Sequence, residues 1–243
     1  KFLMSKNVNP YNNLQRKKDQ VKQMFDNISY KYDFLNQFLT LGIDNLWRKE
    51  VVKKINNNPS EILDIATGTA DIAILAAKHL NAQITGLDIS NEMLKIGQKK
   101  INNQNLENRI KLVSGDAENL VFENESFDAV TIGFGVRNFE NLNKGLNESF
   151  RVLKKNGYLV ILEPSFPTKF PIKQFFSLYF NYITPFIGNL ISKDFKAYRY
   201  LAKSVKEFPS NQMFLNKLKE IGFSKCNFHS LSFGVASLYV AIK

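Results

Sequence analysis

The sequence predicts an α/β fold in which a mostly parallel sheet carries helices on both faces. From Ile62 onwards, short apolar runs of strand length alternate with apolar stretches at helical spacing, the order that builds parallel sheets. Residues 61–88 form the first strand-loop-helix-strand unit, with a turn of small residues inside it. The chain has 243 residues, and α/β folds of this length are commonly undivided, so we expect one domain covering residues 1–243.

The chain before the first strand divides into two parts. Residues 1–19 are polar, basic and rich in Asn, and we expect them to form a mobile N-terminus. Residues 20–58 place apolar side chains at helical spacing and predict a helical cap of two or three helices. The positions concerned are Val21, Met24, Phe25, Ile28, Phe34, Leu35, Phe38 and Leu39, then Leu46, Trp47, Val51, Val52 and Ile55.

The remaining elements follow in order after the turn that ends at Pro59. A helix is predicted to open at Ser90, a capping residue, and another to span residues 141–153. The final segment alternates in hydrophobicity and contains Gly234, which predicts an antiparallel pair that closes the sheet. The predicted strands are 62–65, 84–88, 110–114, 127–132 and 158–162, followed by the pair within 226–243.

The loop at residues 66–70 and the acid at Asp88 together predict a nucleoside pocket. Gly68 lets a ligand approach backbone N–H groups at a helix start, and Asp88 ends the second strand where a carboxylate accepts both ribose hydroxyls. An acid about twenty residues after a glycine loop also serves dinucleotide enzymes. Here nothing matches GxGxxG, so a pyrophosphate would be poorly held.

S-adenosylmethionine (SAM) suits the loop better, because it has no phosphate. It needs one close backbone approach, an acid for the ribose and polar groups for its methionine end, which Asp64, Gly68, Thr69 and Asp71 provide. The alternative is that Asp64 and Asp71 only cap the turn and the helix after it.

The third and fourth strands complete the predicted site. Asp116 and Ala117 follow the third strand, where an acid can hold the adenine amino group while a small residue lets the ring pack flat; alternatively, Asp116 only caps a turn. The fourth strand runs into Gly133 and the segment up to Asn138. Ligands bind beyond the carboxyl ends of strands in open α/β sheets, so substrate chemistry is expected there.

Composition limits the partners. The chain has 33 Lys and Arg against 22 Asp and Glu, a formal charge of +11, which favours contact with nucleic acid or anionic lipid, unless it reflects only a drift towards Lys and Asn. The single Cys226 excludes a disulfide framework, and His79 and His229 have no neighbouring ligand set, so no structural metal is expected. No apolar run reaches the length of a membrane-spanning helix or secretory signal, and we expect a cytoplasmic protein.

An aromatic insertion covers residues 167–200 and interrupts the alternating plan. It is flanked by lysines, and such an element suits a lipophilic substrate drawn from an anionic membrane surface; an ordinary buried helix is the alternative. The aromatic residues are Phe170, Phe175, Phe176, Tyr179, Phe180, Tyr182 and Phe186, and the lysines are Lys169, Lys173, Lys193 and Lys196.

Seven segments together resemble one family, the UbiE/MenG quinone C-methyltransferases. They cover most of the chain from about Val21, and TIGFGVRNF and YRYLAKSV are the specific ones. The segments are FDNISYKYDFLN (25–36), GIDNLWRK (42–49), LDIATGTAD (63–71), TIGFGVRNF (131–139), LEPSFP (162–167), YRYLAKSV (198–205) and LSFGVASLYVA (231–241). The resemblance implies a Rossmann-like class I SAM methyltransferase with a seven-stranded sheet whose last strand is antiparallel.

The resemblance also implies roles for individual residues. Two departures are Ala70, where many members have Gly, and Tyr239, where many have His; the larger Ala70 should be tolerated if its φ is negative. At Gly133, where some members carry Ser, any contact must be main chain. The implied cofactor contacts are Thr69, Asp88, Asp116, Ala117 and Gly133. The implied substrate residues are Arg137 and Asn138, with Tyr32, Asp33 and Tyr200 near the substrate mouth, and of these we expect Arg137, Asn138, Asp33 and Tyr200 to be catalytic.

The expected reaction is methylation of demethylmenaquinol, with the equivalent ubiquinone step as the alternative. Loss of a phenolic proton makes a ring carbon nucleophilic, and the carbon then displaces the sulfonium methyl in line. We expect the enzyme to position the carbon and stabilise the phenolate, with Arg137 as stabiliser, because it stays protonated and cannot act as an ordinary base. The alternative for Arg137 is a structural ion pair with a helix acid.

Two rival functions are less favoured. Base N-methyltransferases commonly carry an Asn/Asp-Pro-Pro-aromatic segment after the fourth strand, whereas this chain has Gly-Phe-Gly there, and no RNA-binding module is visible. A non-enzymatic quinone or nucleotide carrier is the second rival. We therefore expect a lipophilic quinol and an anionic membrane surface as partners, no nucleic acid, and a possible homodimer through apolar residues of the insertion.

Overall fold

A single mixed sheet organises the chain. The computed structural model describes residues 8–11, 13–179, 182, 195–209 and 211–243. In space, the seven strands follow the order β3-β2-β1-β4-β5-β7-β6. The strands are β1 (Glu61–Ile65), β2 (Gln83–Asp88), β3 (Ile110–Ser114), β4 (Phe127–Gly133), β5 (Leu153–Pro164), β6 (Ser224–Leu231) and β7 (Ala236–Ile242).

The pairing confirms the predicted architecture. The first five strands pair in parallel, and β7 lies antiparallel between β5 and β6. The predicted antiparallel pair at the end of the chain is therefore β6 and β7. Parallel strands need crossover connections, which are usually helices. Helices pack on both faces of the sheet.

The described helices lie between the strands and before them. They are α1 (Lys17–Leu39), α2 (Asp44–Lys53), α3 (Asp71–His79), α4 (Asn91–Asn102), α5 (Leu142–Val152), α6 (Ile172–Leu178), α7 (Phe195–Glu207) and α8 (Asn211–Ile221). As expected, Ser90 caps α4, accepting a hydrogen bond from the Met93 backbone N–H at 3.2 Å.

The helical cap before the sheet consists of α1 and α2. Apolar side chains on one stripe of α1 are buried, among them Val21, Met24 and Ile28, which is why this stretch holds 23 residues of helix. Gly42, with a φ of 74°, belongs to the turn between the helices. Helix α1 begins at Lys17. The N-terminal segment predicted to be mobile, residues 1–19, therefore includes the first three residues of this helix.

Strand β5 begins five residues earlier than the sequence indicates. Its register against β4 shifts between Phe127 and Ala129, and Asn156 adopts a left-handed φ of 61°. At Gly157 an added Cβ would lie 2.7 Å from the Lys154 carbonyl oxygen. Asn156 and Gly157 thus form an irregularity within one longer strand.

Apolar side chains pack on both faces of the sheet and in a separate cap. One cluster joins the sheet to α2 and α3, and a second joins it to α5 and α8. The second holds Tyr239, whose ring lies 4.7 Å from that of Phe214. A third cluster joins α1 to α7 through residues such as Leu35 and Ala197. No helix within the described ranges has the length and apolar content that crossing a bilayer requires.

The described part of the aromatic insertion differs from an ordinary buried helix. No residue of α6 is buried, and Phe175 is exposed while Phe176 is half-buried. The alternative of a buried helix is therefore wrong for this part. Part of the insertion lies outside the described residues, including the aromatic residues Phe180 and Phe186 and the flanking Lys193.

Candidate active site

Asp64, near the carboxyl end of β1, supports the loop that follows this strand. Its carboxylate accepts hydrogen bonds from the Thr67 and Thr131 hydroxyls, each at 2.6 Å. Burial raises the pKa of this carboxyl to about 6. Its side chain is 1% exposed and contacts the turn itself, as expected of a residue that supports the turn; a contact with a cofactor stays a prediction.

Ala70 ends this loop in a strained conformation. It has φ 67° and ψ 23° immediately before α3, and the left-handed region costs an L-residue about 1 kcal/mol or more. The condition under which Ala70 should be tolerated, a negative φ, is therefore not met. The loop geometry that makes Gly common here persists with a methyl group in place.

Asp88 stands at the carboxyl end of β2 and faces the loop. Its Oδ2 accepts from the Gly68 backbone N–H and its Oδ1 from the Ser90 backbone N–H, both at 2.8 Å. Burial raises the pKa of this carboxyl to about 6. Two backbone donors fix the carboxylate at the edge of a cavity that it lines together with Gly68.

That cavity, which we call the inner cleft, has a volume of about 80 Å³. Asp116, Ala117 and Gly133 also line it, so the carboxyl ends of four neighbouring strands meet there. At Gly133 an added Cβ would lie 2.3 Å from Ile72 Cδ1, so only main chain can face a ligand. The structure thus brings together five predicted cofactor contacts: Gly68, Asp88, Asp116, Ala117 and Gly133.

Helix α1 lies across the inner cleft and joins three of the strand ends. Each contact is a short polar one between the helix and a different loop. The contacts are Lys18 Nζ to Asp116 Oδ2 (2.9 Å), Ser90 Oγ to Asp26 Oδ1 (2.6 Å) and Thr69 Oγ1 to Asp33 Oδ1 (2.6 Å). Asp116 also accepts from the Glu118 backbone N–H at 2.9 Å, so the turn-capping role predicted as the alternative is present as well.

Thr69 and Asp33 bind each other and Lys100. The Lys100 Nζ lies 3.1 Å from both Asp33 Oδ2 and Thr69 Oγ1, and it also contacts Asp71. This cluster places Asp33, a predicted catalytic residue, beside the loop after β1. Neither Asp33 nor Thr69 lines either cavity in the described part of the chain.

A second and larger space, which we call the apolar cavity, lies beside the inner cleft. Its volume is about 350 Å³, and its walls come from α1, α2, α6, α7 and the loop after β4. Aliphatic and aromatic side chains predominate, including Met24, Ile28, Leu39, Trp47, Phe176, Leu201 and Val235. Four residues line both spaces: Phe25, Tyr32, Phe134 and Asn138.

Arg137 lines the apolar cavity from a short 3-10 turn, Val136–Asn138. Its Nη1 donates to Glu163 Oε2 at 2.8 Å and to the Phe134 carbonyl oxygen. The predicted alternative of a structural ion pair is thus observed, although the acid lies on strand β5 and not on a helix. The Arg137 Nε is buried and has no hydrogen-bond partner among the residues that the structure describes.

Asn138 and Tyr200 meet in the same cavity. The Tyr200 hydroxyl donates to Asn138 Oδ1 at 3.1 Å, and burial raises the pKa of Tyr200 above its ordinary value. The phenol therefore stays protonated and serves as a donor. Three of the four predicted catalytic residues, Arg137, Asn138 and Tyr200, lie together, and Asp33 does not join them.

Sequence reasoning assigned no role to Glu163 or Lys17. Glu163 follows the apolar run of β5 directly, and an acid at the carboxyl end of a buried strand is a usable signal for this fold. Lys17 is 8% exposed, and its Nζ donates to the carbonyl oxygens of Arg137 at 3.2 Å and Phe139 at 2.8 Å. No sequence pattern indicates that a lysine of a polar N-terminal segment becomes buried.

Known proteins match this chain over almost its full length. A family model, the ubiE/COQ5 methyltransferase family, matches residues 13–243. The demethylmenaquinone methyltransferase of Bacteroides fragilis is 44% identical over 238 residues, which cover 97% of this chain and 97% of the relative. The ubiquinone/menaquinone biosynthesis C-methyltransferase UbiE of Geotalea daltonii is 42% identical over 233 residues, covering 95% of this chain and 99% of the relative.

Solved structures share the fold. The crystal structure of a putative SAM-dependent methyltransferase from Methanococcus maripaludis superposes with a TM-score of 0.62 at 23% identity, covering 96% of this chain and 95% of that one. The strand order and these matches confirm the class I fold, the enzyme class and SAM as the methyl donor. The chain belongs to the ubiE/COQ5 methyltransferase family.

Proposed function

We propose that this enzyme methylates a ring carbon of demethylmenaquinol to give menaquinol, with SAM as donor. The arrangement that carries the proposal is the contact between the two spaces. The inner cleft collects the acids and small residues of four strand ends, and the apolar cavity beside it shares Phe25, Tyr32, Phe134 and Asn138 as a common wall. A methyl donor therefore fits in the inner cleft and an apolar acceptor in the apolar cavity, on opposite sides of this shared wall.

The inner cleft suits the chemistry of SAM. Bound SAM supplies an electrophilic methyl group on a sulfonium sulfur. Asp88 and Asp116 are acceptors, as the ribose hydroxyls and the adenine amino group require. Gly68, with a φ of 55°, has no heavy atom within 4 Å of an added Cβ, which leaves room for a ligand against its backbone. Asp64 and Thr69 remain proposed contacts at the methionine end.

The chain's own residues organise the acceptor. Arg137 holds a fixed positive charge at the wall of the apolar cavity, where it stabilises a phenolate oxygen and lowers the pKa of the phenol. Asn138 and the protonated Tyr200 orient the polar end of the substrate by hydrogen bonds. Because none of these groups is an ordinary base at neutral pH, the phenolic proton leaves to water.

Methyl transfer from labelled SAM to a panel of acceptors tests the proposal. We expect turnover with demethylmenaquinol, and slower or no turnover with 2-polyprenyl-6-methoxy-1,4-benzoquinol, the acceptor of the ubiquinone step. The relatives' names include both pathways, so the benzoquinol is the alternative acceptor. Transfer only to RNA, or SAM binding without transfer to any quinol, would contradict the proposal.

We also propose that the enzyme works on the inner face of the cytoplasmic membrane, from which the quinol enters. Large apolar side chains of α1, of α2 with the connection before it, and of the aromatic insertion are exposed, and two of them, Leu41 and Ile43, line the apolar cavity. The Tyr179 hydroxyl ties the insertion to the Leu39 carbonyl oxygen at 2.7 Å. The exposed residues are Phe34, Phe38, Leu41, Ile43, Leu46, Phe170, Phe175, Leu178 and Tyr182. Lys169 and Lys173 are exposed beside them and suit anionic headgroups.

Vesicle sedimentation separates this surface from a dimer contact. Binding to vesicles containing phosphatidylglycerol, and weaker binding to pure phosphatidylcholine, is expected for the membrane role. Leu41→Ser combined with Phe175→Ser should reduce it. If that double variant instead turns a dimer into a monomer in sedimentation velocity runs and leaves vesicle binding unchanged, the face serves a homodimer.

A further inference from the structure

Glu163 is the most deeply buried acid near the apolar cavity. It lies near the carboxyl end of β5 and is 0% exposed. Its Oε2 accepts from Arg137 Nη1 at 2.8 Å and its Oε1 from the Arg137 backbone N–H at 3.3 Å. Both oxygens thus accept from Arg137, and the Val136 backbone N–H also contributes a hydrogen bond to this carboxylate.

The loop that carries Arg137 is held from two sides by opposite charges. Glu163 binds its N–H side, and the ammonium group of Lys17 binds the carbonyl oxygens of Arg137 and Phe139. Burial raises the pKa of Glu163, and the Arg137 guanidinium opposes that shift. Burial also lowers the pKa of Lys17 to about 8. Charges this buried persist only where partners hold them.

Glu163 does not line either space in the described chain. It therefore cannot take a proton from a substrate in the apolar cavity directly, and any effect on the reaction must pass through Arg137. Arg137, by contrast, lines the apolar cavity, and among the described residues its Nε–H is buried without a hydrogen-bond partner. Because this N–H is shielded from solvent, it reports how the guanidinium is held and not which ligand is bound.

We infer that Glu163 is a positioning residue for methyl transfer. By binding Nη1 and the main chain of Arg137, it fixes a long flexible side chain in one orientation at the wall of the apolar cavity, where the guanidinium charge stabilises the phenolate oxygen of the acceptor. It also balances the guanidinium charge, which sets how strongly Arg137 lowers the pKa of the phenol. The inference rests on the proposed quinol methylation and adds a residue outside both spaces to it.

Two substitutions separate position from charge. Glu163→Asp keeps the charge but withdraws it by one methylene, so kcat should fall about tenfold or more, since small misplacements are costly, while the acid limb of the pH-rate profile stays in place. Glu163→Gln removes the charge, so kcat should fall by a similar factor and the acid limb should move to lower pH. SAM affinity should stay within about threefold in both variants.

Asp128→Asn is the matched control. Asp128 lies near the amino-terminal end of β4, away from the carboxyl ends of the strands, and its carboxylate accepts from the Ser60 and Glu61 backbone N–H groups, each at 2.9 Å, and from Lys154 Nζ at 2.8 Å. Its loss should lower Tm without changing kcat or the pH-rate profile. If Glu163→Gln behaves like Asp128→Asn, with a lower Tm and wild-type kinetics, Glu163 is only structural and the inference fails.

A readout without quinol keeps the two proposals apart. The Arg137 Nε–H gives a side-chain NMR signal, assigned by its absence in Arg137→Lys. It should be sharp and slow to exchange in the wild type and in Asp128→Asn, and broadened in Glu163→Gln. An unchanged signal in Glu163→Gln overturns the positioning role. A wild type that binds SAM but methylates no quinol, with the signal broadened as expected, overturns the proposed function alone.

Discussion

The inner cleft and the apolar cavity lie side by side but are built differently. The inner cleft is formed mainly by the carboxyl ends of β1 to β4, and its key carboxylate, Asp88, is fixed by backbone N–H groups at 2.8 Å. The apolar cavity is formed mainly by side chains of α1, α2, α6 and α7. The sheet thus provides a rigid nucleoside site, and the helices around it provide the room for the acceptor.

The two spaces also differ in size, about 80 Å³ against about 350 Å³. A nucleoside needs several hundred cubic ångströms, so the contacts of α1 with the strand ends hold the inner cleft narrower than its ligand. The apolar cavity already has the volume of a ligand pocket. The comparison predicts that substitutions at the two spaces change different binding constants.

The largest expected effect is on SAM affinity at the inner cleft, which the strand ends build. Asp88→Asn removes the charge that accepts the ribose hydroxyls, and two charge-assisted hydrogen bonds together contribute about 3 kcal/mol. SAM affinity should therefore fall about 100-fold, as measured by calorimetry, while binding of a quinol analogue changes little. A loss of quinol binding of equal size, in protein with an unchanged Tm, would show that the spaces are not separable in this way.

Filling the apolar cavity, which helices build, should weaken quinol binding and leave SAM binding unchanged. Leu201→Trp adds bulk to the apolar cavity, and overpacking by about 2 kcal/mol corresponds to roughly a 30-fold rise in KM for the quinol. SAM affinity should stay near that of the wild type. The control is Met213→Trp on α8, where the side chain is 58% exposed and steady-state kinetics should not change.

Acidity should weaken SAM binding through the inner cleft. The pKa of Asp88 is raised from 3.8 to about 6, so below about pH 6 SAM affinity should fall about tenfold per pH unit. Stability of the unliganded protein has the opposite sign. The folded state binds more protons than the unfolded chain between the two values, so the free energy of unfolding decreases as pH rises through this window. Calorimetry and denaturant unfolding across pH 4–7 check both, and Asp88→Asn should abolish the Asp88 contribution.

Releasing one contact of α1 should have a smaller effect. Lys18→Ala frees Asp116 from an ion pair in which each side chain is 27% exposed, and such pairs contribute at most about 1 kcal/mol. SAM affinity should rise by up to about fivefold. Arg16→Ala is the control on the same helix end, because Arg16 pairs with Asp19 and not with a cleft residue. A rise of similar size there would point to general loosening of the helix.

The smallest effect is expected at Ala70. In Ala70→Gly, relief of the left-handed strain stabilises the folded protein by about 1 kcal/mol. Loss of a buried methyl group destabilises it by about 1 kcal/mol. The free energy of unfolding should change by less than about 1 kcal/mol. Ala77→Gly in α3, where Gly only destabilises the helix, should be less stable than Ala70→Gly by denaturant unfolding.

The sequence predicted the inner cleft, built by strand ends, better than the apolar cavity, built by helices. Strand periodicity and the small-residue loop are local signals, and they located Gly68, Asp88 and Asp116 near one cleft. Asp64 was placed correctly on its strand, but nothing local indicates that its carboxylate points at Thr67 and Thr131 and not at a ligand. Its orientation depends on the neighbouring strand.

The helix-built side depends on how distant segments pack. Asp33 was grouped with Arg137 by family resemblance, yet a shift of one residue along α1 rotates a side chain by about 100°, which decides whether it faces the apolar cavity or the loop after β1. Glu163 and Lys17 approach the Arg137 loop from positions 26 residues after it and 120 before it. Pairings over such separations leave no pattern in a single sequence.

Helix α1 contributes Phe25 and Tyr32 to both spaces and also holds the strand ends through Lys18, Asp26 and Asp33. Any displacement of α1 that admits the donor therefore reshapes the acceptor's wall. The two ligands should be thermodynamically linked, each changing the other's dissociation constant by the same factor. Steady-state kinetics should then show an ordered addition, with the donor first and the demethylated donor last to leave.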